Sequence, residues 1–155
     1  MKALDFYVSG FPAPQGSKRI LPRGGVKGAR PLLVDDHPGL KPWRAKVTGA
    51  AKVALRESGA PPAGAALVSL TFYLPRPVTH YGTGKNSGRV KPSAPVEMMV
   101  KPDLDKLVRA VLDSLTDAGM WADDSRVDSI HAYKVYAGVK PAGCAVSVMW
   151  QGAAA

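Results

Sequence analysis

Ala66-Leu67-Val68-Ser69-Leu70-Thr71-Phe72-Tyr73-Leu74 is the most regular stretch of the chain, and its neighbours are best read from it. Ala66, Val68, Leu70, Phe72 and Leu74 alternate with Leu67, Ser69, Thr71 and Tyr73, the period of two that marks a strand. Upstream, Trp43, Val47, Ala50, Ala51 and Ala54 recur at helical spacing and predict a helix over 41–58. Lys41, Arg44, Lys52 and Arg56 form a basic arc beside that stripe, ordinarily a solvated face, and Pro61-Pro62 closes the helix. Further back, Leu4, Phe6 and Val8 alternate with Ala3, Asp5 and Tyr7, a half-buried strand over 3–8. Between that strand and the helix, Gly10 to Gly39 lacks periodicity. It carries Pro12, Pro14, Pro22, Pro31 and Pro38 with Lys18, Arg19, Arg23, Lys27 and Arg30, and reads as a functional or mobile loop.

Downstream, residues 76–101 form a second long basic loop. Gly82, Gly84 and Gly88 punctuate it, and Arg76, Lys85, Arg89, Lys91 and Lys101 face one acid, Glu97. Such a loop is expected to be flexible and to order on phosphates. Leu104, Leu107, Val108, Val111, Leu112 and Leu115 predict a helix over 104–116, and strands follow at about 126–136 and 143–150. The order β-α-β-α-β-β predicts a single α+β domain over 1–155, a mixed sheet with two main helices packed on one face.

Composition narrows the function. The 155 residues carry a net charge of +9, which favours a polyanionic partner, nucleic acid ahead of an anionic membrane. The lone Cys144 excludes an internal disulfide and a thiolate metal cluster, and a buried strand thiol is its expected role. Asp5 breaks what would be the apolar core of a signal peptide, and no stretch is apolar enough to span a membrane. The expectation is a cytoplasmic, nucleoid-associated protein, cellular or phage-encoded. His37, His80 and His131 lack metal-ligand spacing, and Gly82-Thr83-Gly84-Lys85 is not a phosphate-binding loop.

In a chain short of acids, Lys101-Pro102-Asp103-Leu104-Asp105-Lys106-Leu107-Val108-Arg109 and Asp123-Asp124 stand out. Hard divalent cations take oxygen ligands, and cations beside such an ion would hold a phosphate backbone. Asp103 and Asp105 straddle a helix start and can converge there. Asp124 lies beyond a helix of roughly 18–20 Å. A connection from Asp117 to Asp124, reaching at most about 25 Å when extended, could return it with little slack. Arg109, one turn after Asp105, could pair with it or reach a phosphate. Plainer roles compete: Asp103 as a helix N-cap, Asp105 as a partner of the helix dipole, and Asp123-Asp124-Ser125 as turn chemistry.

Lys101 to Leu107, Leu112-Asp113-Ser114-Leu115-Thr116 and Ala118 to Asp124 resemble the signature of RusA-like crossover-junction endodeoxyribonucleases. That signature runs (R/K)-P-D-x-D-N-L-x-K, then D-A-L, then a short turn and D-D-x-x-V. The likeness is dense from Lys101 to Val127 and looser elsewhere. It implies a homodimeric, Mg²⁺-dependent enzyme, with Mn²⁺ as a substitute, that resolves Holliday junctions by symmetric nicks. It further implies that Asp103, Asp105 and Asp124 are catalytic, metal-binding carboxylates, with Asp123 a supporting acid. Arg109 replaces the family's lysine; an arginine keeps the charge but cannot transfer a proton. Lys106 replaces the family's asparagine, and Asp113 is expected to be structural or to support the ligating acids from behind. The cations expected to hold DNA are Lys101, Lys106, Arg109, Lys18, Arg19, Arg76, Lys85, Arg89 and Lys91. The alternative is a non-catalytic basic nucleic-acid-binding module. A nucleotide-sugar transferase using D-x-D would need a nucleotide-binding unit that the chain lacks.

Overall fold

A computed structural model describes residues 1–16, 18–21, 27–28, 32–35, 37–59 and 62–151. Among the described residues six strands and two main helices follow one another: β1 (Lys2–Ser9), β2 (Lys18–Leu21), β3 (Leu32–Asp35), α1 (Leu40–Ser58), β4 (Ala66–Leu74), α2 (Leu104–Asp117), β5 (Val127–Tyr136) and β6 (Gly143–Trp150). Four of the strands form a mixed sheet in the order β1-β6-β4-β5. β6 runs antiparallel to β1 and β4, whereas β4 and β5 are parallel, with Leu74 opposite Tyr136. The α+β fold expected from the sequence is therefore present.

The alternation along β4 explains the layering. Ala66, Val68, Leu70, Phe72 and Leu74 are buried, while Leu67, Ser69, Thr71 and Tyr73 are only half-buried. The buried set faces the helices together with Leu4 and Val8 of β1 and Cys144, Val146 and Val148 of β6. α1 contributes Leu40, Trp43, Val47, Ala51 and Ala54, and α2 contributes Leu107, Ala110, Val111 and Leu115. Complete burial of a side chain such as Phe72 or Leu107 contributes about 1.5–3 kcal/mol. The sheet's other face is not covered by a second layer of described residues.

Two expectations are corrected. The 10–39 segment is not wholly irregular: β2 and β3 pair antiparallel as a separate two-stranded sheet, with Lys18 opposite Asp35. Four residues per strand are too few for alternation to show in the sequence. Pro22, Arg23, Arg30 and Pro31 lie outside the described residues, as do Pro61 and the side chain of Arg19. The 76–101 segment is also internally bonded. Tyr81 bridges Val90, Gly82 donates to the Arg89 carbonyl at 2.9 Å, and Lys91 donates to that of His80 at 2.8 Å. No described helix is long and apolar enough to cross a membrane.

The parallel β4–β5 pair fixes where the ends of α2 fall. A helix joining two parallel strands runs back against both. Its start therefore lies beside the ends of β4 and β5, and its end beside the beginning of β5.

Candidate active site

The start of α2 is built from the sequence Lys101-Pro102-Asp103. Asp103 occupies the N-cap with extended backbone (φ −69°, ψ 135°), yet its side chain makes no capping hydrogen bond. Its Oδ2 instead lies 3.1 Å from Lys106 Nζ, on a partly exposed surface. The hydrogen bond and charge of Lys106, followed by the charges of Lys101 and Lys134, hold the Asp103 carboxyl below the usual carboxylate range. The plain capping role is thus not the one this side chain plays. Asp105, in the first turn, is exposed, as is Arg109 one turn on. Among the described residues Arg109 makes no hydrogen bond or ion pair.

Lys134, which drew no attention in the sequence, holds this end in place. Its Nζ donates to the carbonyls of Val100, at 2.5 Å, and Pro102, at 2.9 Å. The only sequence signal for it was a charge within a strand pattern. On the other side, the Gln15 amide donates to the Lys106 carbonyl at 2.9 Å, and Gly16 packs against the Lys106 stem so closely that a Cβ would come within 2.7 Å of it. Gln15 Nε2 also donates to Asp113, while Arg44 bonds Gln15 Oε1 at 3.3 Å and pairs with Asp117. Asp113 therefore ties the N-terminal segment to α2. A cleft of about 400 Å³ opens between that segment and the helix start, lined by Pro12, Pro14, His37, Leu74, Lys101, Asp103 and Lys106 among others.

The other cations divide into two sets. Arg76 lies over the Tyr136 ring at 4.2 Å and donates to the Pro95 carbonyl at 2.7 Å; Lys91 donates to the Thr79 carbonyl at 3.0 Å. Both brace the 76–101 loop internally. Lys18, Lys85, Arg89 and Lys101 are exposed.

Asp123 and Asp124 stand elsewhere. α2 ends at Asp117, and Gly119 (φ +82°) turns the chain in a left-handed conformation that suits glycine. Met120 and Trp121 then bury, the latter donating from Nε1 to Thr116 Oγ1 at 2.8 Å. The connection is spent on this turn and enters the 3₁₀ turn Asp124–Arg126 and β5 directly. The chain does not return to the start of α2. α2, 14 residues and about 21 Å long, lies between the two acidic pairs. Asp123 Oδ1 accepts from the Ser125 amide at 2.9 Å, the turn chemistry its sequence suggested, and the Ser125 side chain, followed by that amide, holds the Asp123 carboxyl below the usual carboxylate range. Asp124 is exposed.

The Endodeoxyribonuclease RusA family model matches residues 11–149. The chain belongs to the RusA family. It is accordingly an endodeoxyribonuclease, a hydrolase acting on the phosphodiester bonds of DNA, in a family of Holliday-junction endonucleases that bind branched DNA and generally use divalent metals. No curated protein matches the chain. Whether a RusA-type metal ion fits depends on how many carboxylates are required. Mg²⁺ is commonly held by one or two carboxylates with water and phosphate completing its shell, and the helix start carries two acids, Asp103 and Asp105. A three-carboxylate cage within one chain is not formed: among the described residues no group of three or more His, Cys, Asp and Glu side chains is placed to hold a metal.

Proposed function

We propose that the protein is a Mg²⁺-dependent, homodimeric resolvase that cuts four-way DNA junctions by paired symmetric nicks. Each active site draws Asp103 and Asp105 from one subunit and Asp124, with Asp123 beside it, from the other. The observation that carries this reading is the separation of the two acidic pairs by the length of α2 in a chain of a DNA-cutting family. A two-fold pair of subunits repairs that separation twice and presents two equivalent sites, the number a symmetric junction offers.

The roles follow from the residues. Asp103 and Asp105 hold the ion at the helix start, which when bound supplies Lewis-acid chemistry at the scissile phosphate. Lys106 lies beside the Asp103 carboxylate and favours its charged form. Lys101 and Arg109 contact the phosphates flanking the cut, Arg109 by its planar fork and without proton transfer. Lys18, Arg19, Lys85 and Arg89 extend the basic surface along the DNA arms.

Subunit mixing tests the arrangement. Asp103→Asn and Asp124→Asn subunits should each be inactive alone. In a mixed dimer one composite site carries both substitutions and the other carries neither. Mg²⁺-dependent nicking of a labelled four-way junction should return on mixing, one strand per dimer. No recovery after verified subunit exchange excludes a site shared in this way. A wild-type protein that never cuts a junction with Mg²⁺ defeats the whole reading.

A further inference from the structure

We propose that the outer face of α1 is a second DNA contact, a groove that carries one duplex arm of the substrate away from the cleft at the start of α2. It goes beyond the composite site and depends only on the chain's membership of a family that binds branched DNA. Lys41, Lys52 and Arg56 are exposed along this face and, among the described residues, make no ion pair or side-chain hydrogen bond. Arg44, the fourth cation of the arc, is engaged with Asp117 and Gln15, so the acid that lines the groove is already paired. Glu57, the one acid of α1, is turned by about 100° or more from each of the three exposed cations. A stripe of cations that no acid of its own subunit faces attracts its counter-charge from outside.

The floor of the groove is bare. Between the cations lie Ala45, Thr48 and Gly49. Glycine weakens a helix relative to alanine. A Cβ at Gly49 would meet no atom within 4 Å, so nothing among the described residues requires glycine there. The missing side chain instead lets a backbone from outside come close between the cations. The groove is also continuous with the candidate active site. Leu40 lines both the cleft and the groove, and Gly49 and Lys52 carry the groove on to Arg56 and to Ala118, the C-cap of α2. From Lys41 to Arg56 the stripe rises about 22 Å, the length of about six base pairs. A strand with phosphates at Lys101 and Lys106 therefore meets its next cations along α1. Charge complementarity and this continuity identify the occupant as DNA. It is a duplex: single strands are held by stacking on aromatic side chains, and the one aromatic residue of α1, Trp43, is buried.

Salt titration and footprinting test the groove. A triple variant, Lys41→Gln with Lys52→Gln and Arg56→Gln, should keep the wild-type circular dichroism. It should bind a labelled four-way junction, without Mg²⁺, with a slope of log K against log salt about 2.7 smaller than wild type, about 0.9 for each contact. Between about 50 and 200 mM salt, wild type should therefore lose about forty times more affinity than the variant. Gly49→Leu keeps every charge and should keep the helix, yet by filling the floor it should weaken junction binding. Hydroxyl-radical cleavage should find about six base pairs of one arm protected by wild type and bare with the triple variant. If the triple variant keeps the wild-type slope and footprint while wild type cuts junctions, the groove is overturned and the nuclease reading stands. If it changes the sedimenting mass instead of the slope, the face is a contact between subunits and the DNA track is overturned. A wild type that never cuts a junction with Mg²⁺, although the triple variant shows the smaller slope, defeats the resolvase reading and upholds the groove.

Discussion

The Nζ of Lys134 donates to the carbonyl of Pro102 at 2.9 Å, so a side chain from the edge strand fixes the backbone immediately before Asp103. A charged donor serving two carbonyls is worth about 1.5–3 kcal/mol per bond, less what solvent recovers at this half-buried site. Lys134→Met should lower stability in urea by roughly 1–3 kcal/mol. It should also slow cleavage more than it weakens junction binding, because the start of α2 loses its anchor. Equal losses in both would show that Lys134 acts only on folding.

Asp103→Asn separates chemistry from stability. The Asp103–Lys106 pair is partly exposed, and such pairs contribute about 0–1 kcal/mol. There is no side-chain cap to lose. The melting temperature should therefore hardly move, while Mg²⁺-dependent cleavage disappears and DNA binding is kept. A large loss of stability would return Asp103 to a structural role.

Thr116→Val removes the acceptor of the buried Trp121 Nε1 and leaves that donor unsatisfied, at a cost of about 1–3 kcal/mol. The same bond directs the turn that delivers Asp124, so cleavage should drop further than stability accounts for. Tryptophan fluorescence of the folded protein should shift as well. A variant with wild-type cleavage and spectrum would remove this bond from the positioning of Asp124.

Burial pushes the Cys144 thiol up to about 12 from an ordinary value of 9.0. A raised acid pKa means that the folded state disfavours the thiolate. The stability owed to the neutral thiol is complete below about pH 9 and is lost as pH rises from there towards 12. The stability difference between wild type and Cys144→Ala should therefore shrink across that window. Below it, thiol reagents should label Cys144 only after denaturation. Rapid labelling of the native protein at neutral pH would contradict its placement.

Phosphate contacts should appear as salt dependence. Each one lost lowers the slope of log K against log salt by about 0.9 on duplex arms. Exposed Lys85 and Arg89 should each change the slope when replaced by alanine, with or without Mg²⁺. Arg76→Ala should instead loosen the loop, since its guanidinium is engaged with Tyr136 and Pro95. An unchanged slope in both the Lys85 and the Arg89 variant would move the DNA path elsewhere.

The legible parts of this chain were those where one face is buried. β4 shows its layer in the alternation of Ala66 to Leu74, and α2 shows its own in the stripe from Leu104 to Leu115. β2 and β3 were not legible, because four residues per strand cannot establish a period. The route to Asp124 was hidden for a different reason. Sequence spacing gives the greatest reach of a connection, not its direction. Direction is set by Gly119 in its left-handed conformation and by the burial of Met120 and Trp121. Lys134 and Gln15 were missed because their partners are backbone carbonyls and an aspartate far away in the chain.

β6 lies between β1 and β4, pairing Trp150 with both Lys2 and Ala66. Of the four strands of this sheet, the one made last is thus the one that joins the first to the others. Until it emerges, β1 has no strand to pair with, and its apolar face must wait unsatisfied while α1, β4, α2 and β5 are made. A nascent chain halted before Gly143 should stay protease-sensitive, and chaperones should meet this domain chiefly in the interval before β6 emerges.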